Sequence, residues 1–208
     1  LLKGGHQPRA VITASDVHNP LSGGGRVGRP ADLGSLDGLR SGTGFAMVDG
    51  GTFDADKAYK DSKLCNVLLW RELSRRLEAQ GTPFPVLSWS PGLVIPRGPE
   101  GFFRTSRACN PLGMTLFALL ARDVLRLTET PAQAGELLAD LCVDNRWSDP
   151  GFQYFSNHLT RPGQHRFEAV DTSAEARDQA KATALWRLSS ELMQTVMPGV
   201  QPSDPLEL

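Results

Sequence analysis

The stretch KAYKDSKLCN, residues 57–66, places a phenol, Tyr59, four positions before an ammonium, Lys63. On a helix, residues four apart share a face. An ordinary phenol ionises near pH ~10. A neighbouring cation favours the phenolate, and this brings the hydroxyl towards useful acid–base range. Tyr59 therefore reads as a proton donor with Lys63 as its electrostatic partner. Ser15 is the third candidate. It ends a short apolar run, RAVITAS (9–15), and its hydroxyl could orient either the phenol or a substrate oxygen. The same pair at this spacing also occurs by chance on solvent-facing helices.

These residues need elements to hold them. RAVITAS reads as a buried strand. Residues 16–58 are rich in Gly, Pro, Asp and Ser without periodicity, a length of loop that is usually functional. A helix is expected over 59–80, with Leu64, Val67, Leu68, Leu73 and Leu77 on one face and Gly81 as its stop. FPVLSWS (84–90) reads as a second strand ending at Pro91-Gly92, and 93–113 as a further loop. Helices follow over 114–127 and from Pro131, where Thr130 is the N-cap and Gln133 stands three residues on. GFQYFSN (151–157) is a third strand and 173–193 a closing amphipathic helix. This order predicts an α/β fold with parallel strands joined by crossovers, the C-terminal part of a doubly wound, mostly parallel Rossmann-type sheet. Strand C-termini, where Ser15 and Pro91 fall, are the ligand-binding edge of such sheets.

The bulk numbers narrow the function. A chain of 208 residues with 40% hydrophobic content is long enough for one domain with a core. A formal net charge of −1 argues against a nucleic-acid footprint. No apolar run approaches the ~20 residues of a membrane span, and no signal peptide is read at the N-terminus. Cys65, Cys109 and Cys142 suggest a reducing compartment without disulfides, the latter two as buried small groups. His6, His18, His158 and His165 lack metal-ligand spacing, so no metal site is expected. Gly23, Gly25 and Gly28 spell a dinucleotide fingerprint. They follow the strand by eight residues and precede Pro30 rather than a helix, so a loop is the better reading.

Taken together, Ser15, Tyr59-x-x-x-Lys63 and Pro91-Gly92 resemble the short-chain dehydrogenase/reductase superfamily. VHNP (17–20), ADLGSLDGL (31–39), MVDGGTF (47–53), KAYKDSKLCN, GFQYFSN and EARDQAKATALWRLSSEL narrow the resemblance to light-dependent, NADPH-linked protochlorophyllide oxidoreductases, over nearly the whole chain. The resemblance implies reduction of a ring double bond of a protochlorophyllide-like pigment, with hydride from NADPH and the proton from Tyr59. Lys63 would lower the tyrosine pKa and bind the nicotinamide ribose. Ser15 would be the active-site hydroxyl. Pro91, Gly92 and Leu93 would border the nicotinamide. Cys65, His18, Phe102 and Phe103 would contact the pigment. Phe102, Phe103, Leu116, Phe117, Leu119 and Leu120 could form an apolar lid, or simply cover the sheet. Arg97, Arg104 and Arg107 could meet a phosphate or propionate, or lie in solvent.

The resemblance has departures. Family members place the first βαβ unit, its glycine-rich phosphate loop and an active-site asparagine ahead of this point. The chain therefore reads as one partial domain over 1–208, and the expectation is weak or no NADPH binding by the isolated chain. Where the family reads Tyr-Pro-Gly-Cys, this chain reads Ser90-Pro91-Gly92-Leu93, so another bulky carbonyl or alkene substrate, or a non-catalytic pigment-binding remnant, stays open. A cytoplasmic or thylakoid-associated location, weak membrane-surface contact and oligomerisation are further expectations.

Overall fold

The structure is a computed structural model and describes residues 7–98 and 103–197. Four strands form one sheet in the order β1 (Ala10–Thr13), β2 (Pro85–Ser90), β3 (Gly151–Arg161), β4 (Gln164–Ala169). β1, β2 and β3 run parallel, with Ile12 opposite Ser88 and Ser88 opposite Tyr154. β4 is antiparallel to β3. The mostly parallel α/β order expected from the sequence is present. β4 was not foreseen. The turn at Pro162-Gly163, with Gly163 at φ +75°, folds the chain back into a hairpin, and β4's QHRFEA is too polar to stand out as a core strand.

The crossover helices pack on opposite faces. On one, α2 (Ala55–Ala79) and α6 (Gln179–Val196) cover Val86, Phe152 and Tyr154. On the other, α5 (Pro131–Val143) sets Leu137, Leu138 and Leu141 against Leu87, Trp89 and Phe155. Each helix begins on a side-chain cap that satisfies an otherwise open N–H. Asp54 accepts from Lys57 N at 3.0 Å, Thr130 from Gln133 N at 3.1 Å and Asp178 from Lys181 N at 2.9 Å. α2 thus starts four residues earlier than expected. α6 starts six residues later than expected, after a 3-10 turn at Glu175–Arg177.

The long loop after β1 contains a short helix, α1 (Asp37–Arg40), and buries Ala31, Leu33, Leu36 and Leu39 against α2 and α6. The helix expected over 114–127 is instead α4 (Pro111–Ala118), continued by a π-helical turn at Leu119–Val124. A short α3 (Arg104–Cys109) precedes it. Cys109 and Cys142 are exposed, not buried as expected. Each lies on a helix face with no neighbouring layer. The glycines at 23, 25 and 28 lie in a turn-rich loop with no helix following them. Gly28 takes φ +66°, a conformation that favours glycine.

Candidate functional site at the strand C-termini

The face of the sheet beneath α2 changes character along the strands. At their N-terminal ends it is apolar, with Val86 and Phe152 under Trp70, Leu73 and Leu77. Towards their C-terminal ends the same face presents hydroxyls: Ser88 and Ser90 from β2, Tyr154 and Ser156 from β3. All four are buried. The two-residue period of a strand makes this possible, since alternate residues share a face. Ser15 and Asp16 follow β1 at the same end. Above them α2 brings Tyr59 and Lys63.

Tyr59 and Ser15 meet. The two hydroxyls are hydrogen-bonded, and this bond works against the burial that pushes the Tyr59 phenol above its ordinary value. Ser15 is in extended backbone at φ −169° and caps the 3-10 turn Asp16–His18. Lys63 stands over the ring of Tyr59 with Nζ 5.6 Å from the centroid, and donates to the carbonyl of Thr13 at 3.2 Å. Asn66 donates to the same carbonyl at 3.4 Å. The expectation that Lys63 lowers the Tyr59 pKa is corrected here. Burial dominates, Ser15 supplies the opposing effect, and the ammonium lies over the ring face. The Lys63 pKa is itself lowered by burial.

Pro91, Gly92 and Leu93 form the opposite wall. Gly92 sits at φ +79°, and a Cβ there would stand 2.6 Å from the Asn157 carbonyl oxygen. Glycine is required by conformation and by close approach. The wall is held from β3: Asn157 Nδ2 donates to Pro91 O at 3.3 Å and to Glu129 Oε2 at 3.1 Å, while Glu129 N donates to Leu93 O at 2.8 Å. Leu93 and Phe103 pack around Ile95, Ala118 and Ala121. Phe102 lies outside the described residues.

Two other candidates are placed elsewhere. His18 was expected to face the pigment, and this is corrected: it is 1% exposed with both ring nitrogens engaged. Nδ1 is 2.8 Å from the Ser15 carbonyl, and Nε2 accepts from Ser173 N at 3.4 Å. Burial lowers its pKa, so the ring is neutral and fastens the Ser15 turn to the segment before α6. Cys65 packs against the apolar cluster of Leu64, Leu68 and the long loop. Six helical positions separate it from Tyr59, which puts it on another face. Burial, with Asp61 and Glu175 adding to it, pushes its thiol up to about 12, so it does not exchange protons near neutrality.

Sequence reasoning passed over Asp16, Tyr154 and Ser156. Tyr154 Oη donates to Asp16 Oδ1 at 3.0 Å, and Ser156 Oγ to Asp16 Oδ2 at 2.7 Å. The chain has only two tyrosines, and both stand at this end of the sheet. That rarity, and the shared face of Phe152, Tyr154 and Ser156, were the available signals. Among the described residues, no group of three or more His, Cys, Asp or Glu could hold a metal ion, and no helix is long and apolar enough to cross a membrane.

The comparisons with known proteins meet this geometry. The chain is 33% identical over 189 residues to protochlorophyllide reductase B from rice, covering 89% of this chain and 44% of that protein. It is 33% identical over 189 residues to protochlorophyllide reductase from pea, with the same coverage. The oat protein of that name is 33% identical over 190 residues, 89% of this chain and 57% of its own length. The chain belongs to the protochlorophyllide reductase family of short-chain dehydrogenases/reductases. It spans about half the length of these curated relatives. No protein-family profile matches it. An uncharacterised protein from Mycobacterium paratuberculosis shares the fold at a TM-score of 0.50 and 23% identity, over 89% of this chain and 50% of that one.

Proposed function

We propose that the protein to which this chain belongs reduces a ring double bond of protochlorophyllide in the light, with NADPH as hydride donor and Tyr59 as proton donor. The observation that carries this reading is the Tyr59–Ser15 hydrogen bond at the strand C-termini, the ligand-binding edge of an open α/β sheet. The names of the relatives give protochlorophyllide as the compound those proteins reduce.

The residues present fit the nicotinamide end of the cofactor. Lys63 uses one donor on Thr13 O, and an ammonium has three, so donors remain for ribose hydroxyls. The 91–93 wall gives a fixed surface for one face of the nicotinamide. Among the described residues no strand feeds a glycine turn that opens into a helix, so a phosphate cradle is not found here. NADPH, when bound, supplies the hydride. The protein's own part is positional and acid–base. Burial keeps the Tyr59 proton on Oη at neutral pH, and Ser15 points that hydroxyl. Leu93 and Phe103, half-buried around the buried Ile95, offer apolar surface to a flat macrocycle.

The test uses the full-length gene product with protochlorophyllide and NADPH. A red shift of pigment absorbance after a flash, absent in the dark, is expected. Tyr59→Phe should slow reduction by roughly 100- to 10,000-fold, the usual weight of a general acid. An undiminished rate in that variant overturns the assignment. Ser90 and Leu93, which depart from the family pattern, favour one alternative: an NADPH-linked reductase of another bulky carbonyl or alkene. Dark turnover of such compounds would select it, and pigment binding without turnover would select a non-catalytic binder.

A further inference from the structure

Asp16 contributes three groups to one arrangement. Its backbone N–H donates to Ser90 Oγ at 3.2 Å. Ser90 Oγ also accepts from Gly92 N at 3.4 Å, so its own proton is left to donate to the Tyr154 oxygen. Tyr154 Oη donates to Asp16 Oδ1 at 3.0 Å, and Ser156 fills Oδ2. The bonds close a ring that leaves Asp16 at its backbone nitrogen and returns to it at its carboxylate. Ser22 Oγ donates to the Asp16 carbonyl at 2.8 Å. One side of the ring is joined covalently to Ser15, the partner of Tyr59. The other side carries Gly92, the wall opposite.

We infer that Asp16 is a positioning residue for the Tyr59 site: its carboxylate closes the Ser90–Tyr154 ring and so sets both Ser15 and Gly92. The inference rests on the reading of Tyr59 as the functional phenol. A carboxylate satisfied by two hydroxyls fixes its own backbone, because releasing it would leave two buried hydroxyls, those of Tyr154 and Ser156, short of a partner. The Ser15 hydroxyl then has one orientation, towards Tyr59. His18, neutral and edge-on to Tyr154 at 5.0 Å between ring centroids, holds the turn from the other direction.

The two phenols make this testable without turnover. Around Tyr59 stand Ser15, Lys63 from its own helix, and Tyr154. Around Tyr154 stand Asp16, Ser90, Tyr59 and His18. Burial raises both phenols. Asp16 raises Tyr154 further by charge and hydrogen bond, whereas Ser15 lowers Tyr59. Removing the carboxylate must therefore shift the two in opposite directions. The experiment is an NMR pH titration of the chain with isotope-labelled tyrosine Cζ, run in Tyr59→Phe and Tyr154→Phe backgrounds so that each phenol is read alone. Asp16→Ala should lower the midpoint of Tyr154 and raise that of Tyr59. Ser15→Ala in the Tyr154→Phe background should reproduce the Tyr59 rise. Asp16→Asn keeps the shape and one acceptor, and should give the same directions with smaller shifts, which also serves if the alanine variant does not fold. General loosening would instead move both midpoints down towards the ordinary phenol value. That result, or a Tyr59 midpoint unmoved by either Asp16 variant, overturns the inference. A failed flash test leaves this titration intact, so the two readings fall separately.

Discussion

Residues 16–54 and residues 103–130 invert the usual link between regular structure and being held in place. The first segment is mostly irregular, yet Leu33, Leu36 and Leu39 are buried. Its backbone is tied down from α2 and from the turn before α6. Lys57 Nζ donates to Asp32 O and Asp61 Oδ2 at 2.6 Å and stands 3.0 Å from Asp49. Lys60 is 2% exposed and grips the carbonyls of Val27 and Arg29. Glu175 accepts from Leu33 N at 3.0 Å. The second segment is helical for most of its length, yet Leu112 is 84% exposed, and Leu116, Leu119 and Val124 also face outward. Its helices pack on the rest of the protein through Phe103, Ala118 and Ala121 around Ile95 and Leu93, and its polar ties lie near its two ends, at Arg107 on Pro96 O and at Glu129 on Leu93 O and Asn157. A helix satisfies its backbone within itself and needs no neighbour for that. An irregular loop cannot, so a buried one must be satisfied by side chains from elsewhere.

The contrast sets the expected size of each perturbation. Asp61→Ala leaves Lys57 buried with a lost partner and should cost roughly 3–5 kcal/mol in denaturant unfolding. A loss under ~1 kcal/mol would mean that the loop is held by its leucines alone. Gly92→Ala tests the joint between β2 and the second segment. The positive φ alone should cost roughly 1–2 kcal/mol, and the clash with Asn157 O adds to it. An alanine tolerated at no cost would show that this wall is free to move. Leu116→Ser, on the exposed helix, should stay within about 0.5 kcal/mol. A larger loss there would mean that this surface is covered in solution, and the comparison would need redrawing.

The site divides in the same way. That Tyr59, Lys63 and Ser15 gather at the strand C-termini was legible because it depends on residue type and local spacing, and the one-turn geometry of α2 followed from the sequence; Pro91-Gly92 was legible as the end of the second strand. What Lys63 does to Tyr59 was not legible. Sharing a face left open whether the ammonium lies at the hydroxyl or over the ring, and packing against Thr13 put it over the ring. The family resemblance implied a pigment contact for His18. Its burial and its bond to Ser173, 155 positions away, made it a fastener.

The sequence by itself determined the alternation of strands and helices, the parallel α/β class and the helical pairing of phenol and ammonium, since each follows from periodicity or from neighbours within a turn. Only the tertiary structure decided that Asp16, Ser90, Tyr154 and Ser156 form one ring, and that Lys57 and Lys60 serve a loop rather than solvent. Those outcomes depend on strand register and on which distant backbone groups need partners when water is removed. Periodicity within a single segment carries no information about either.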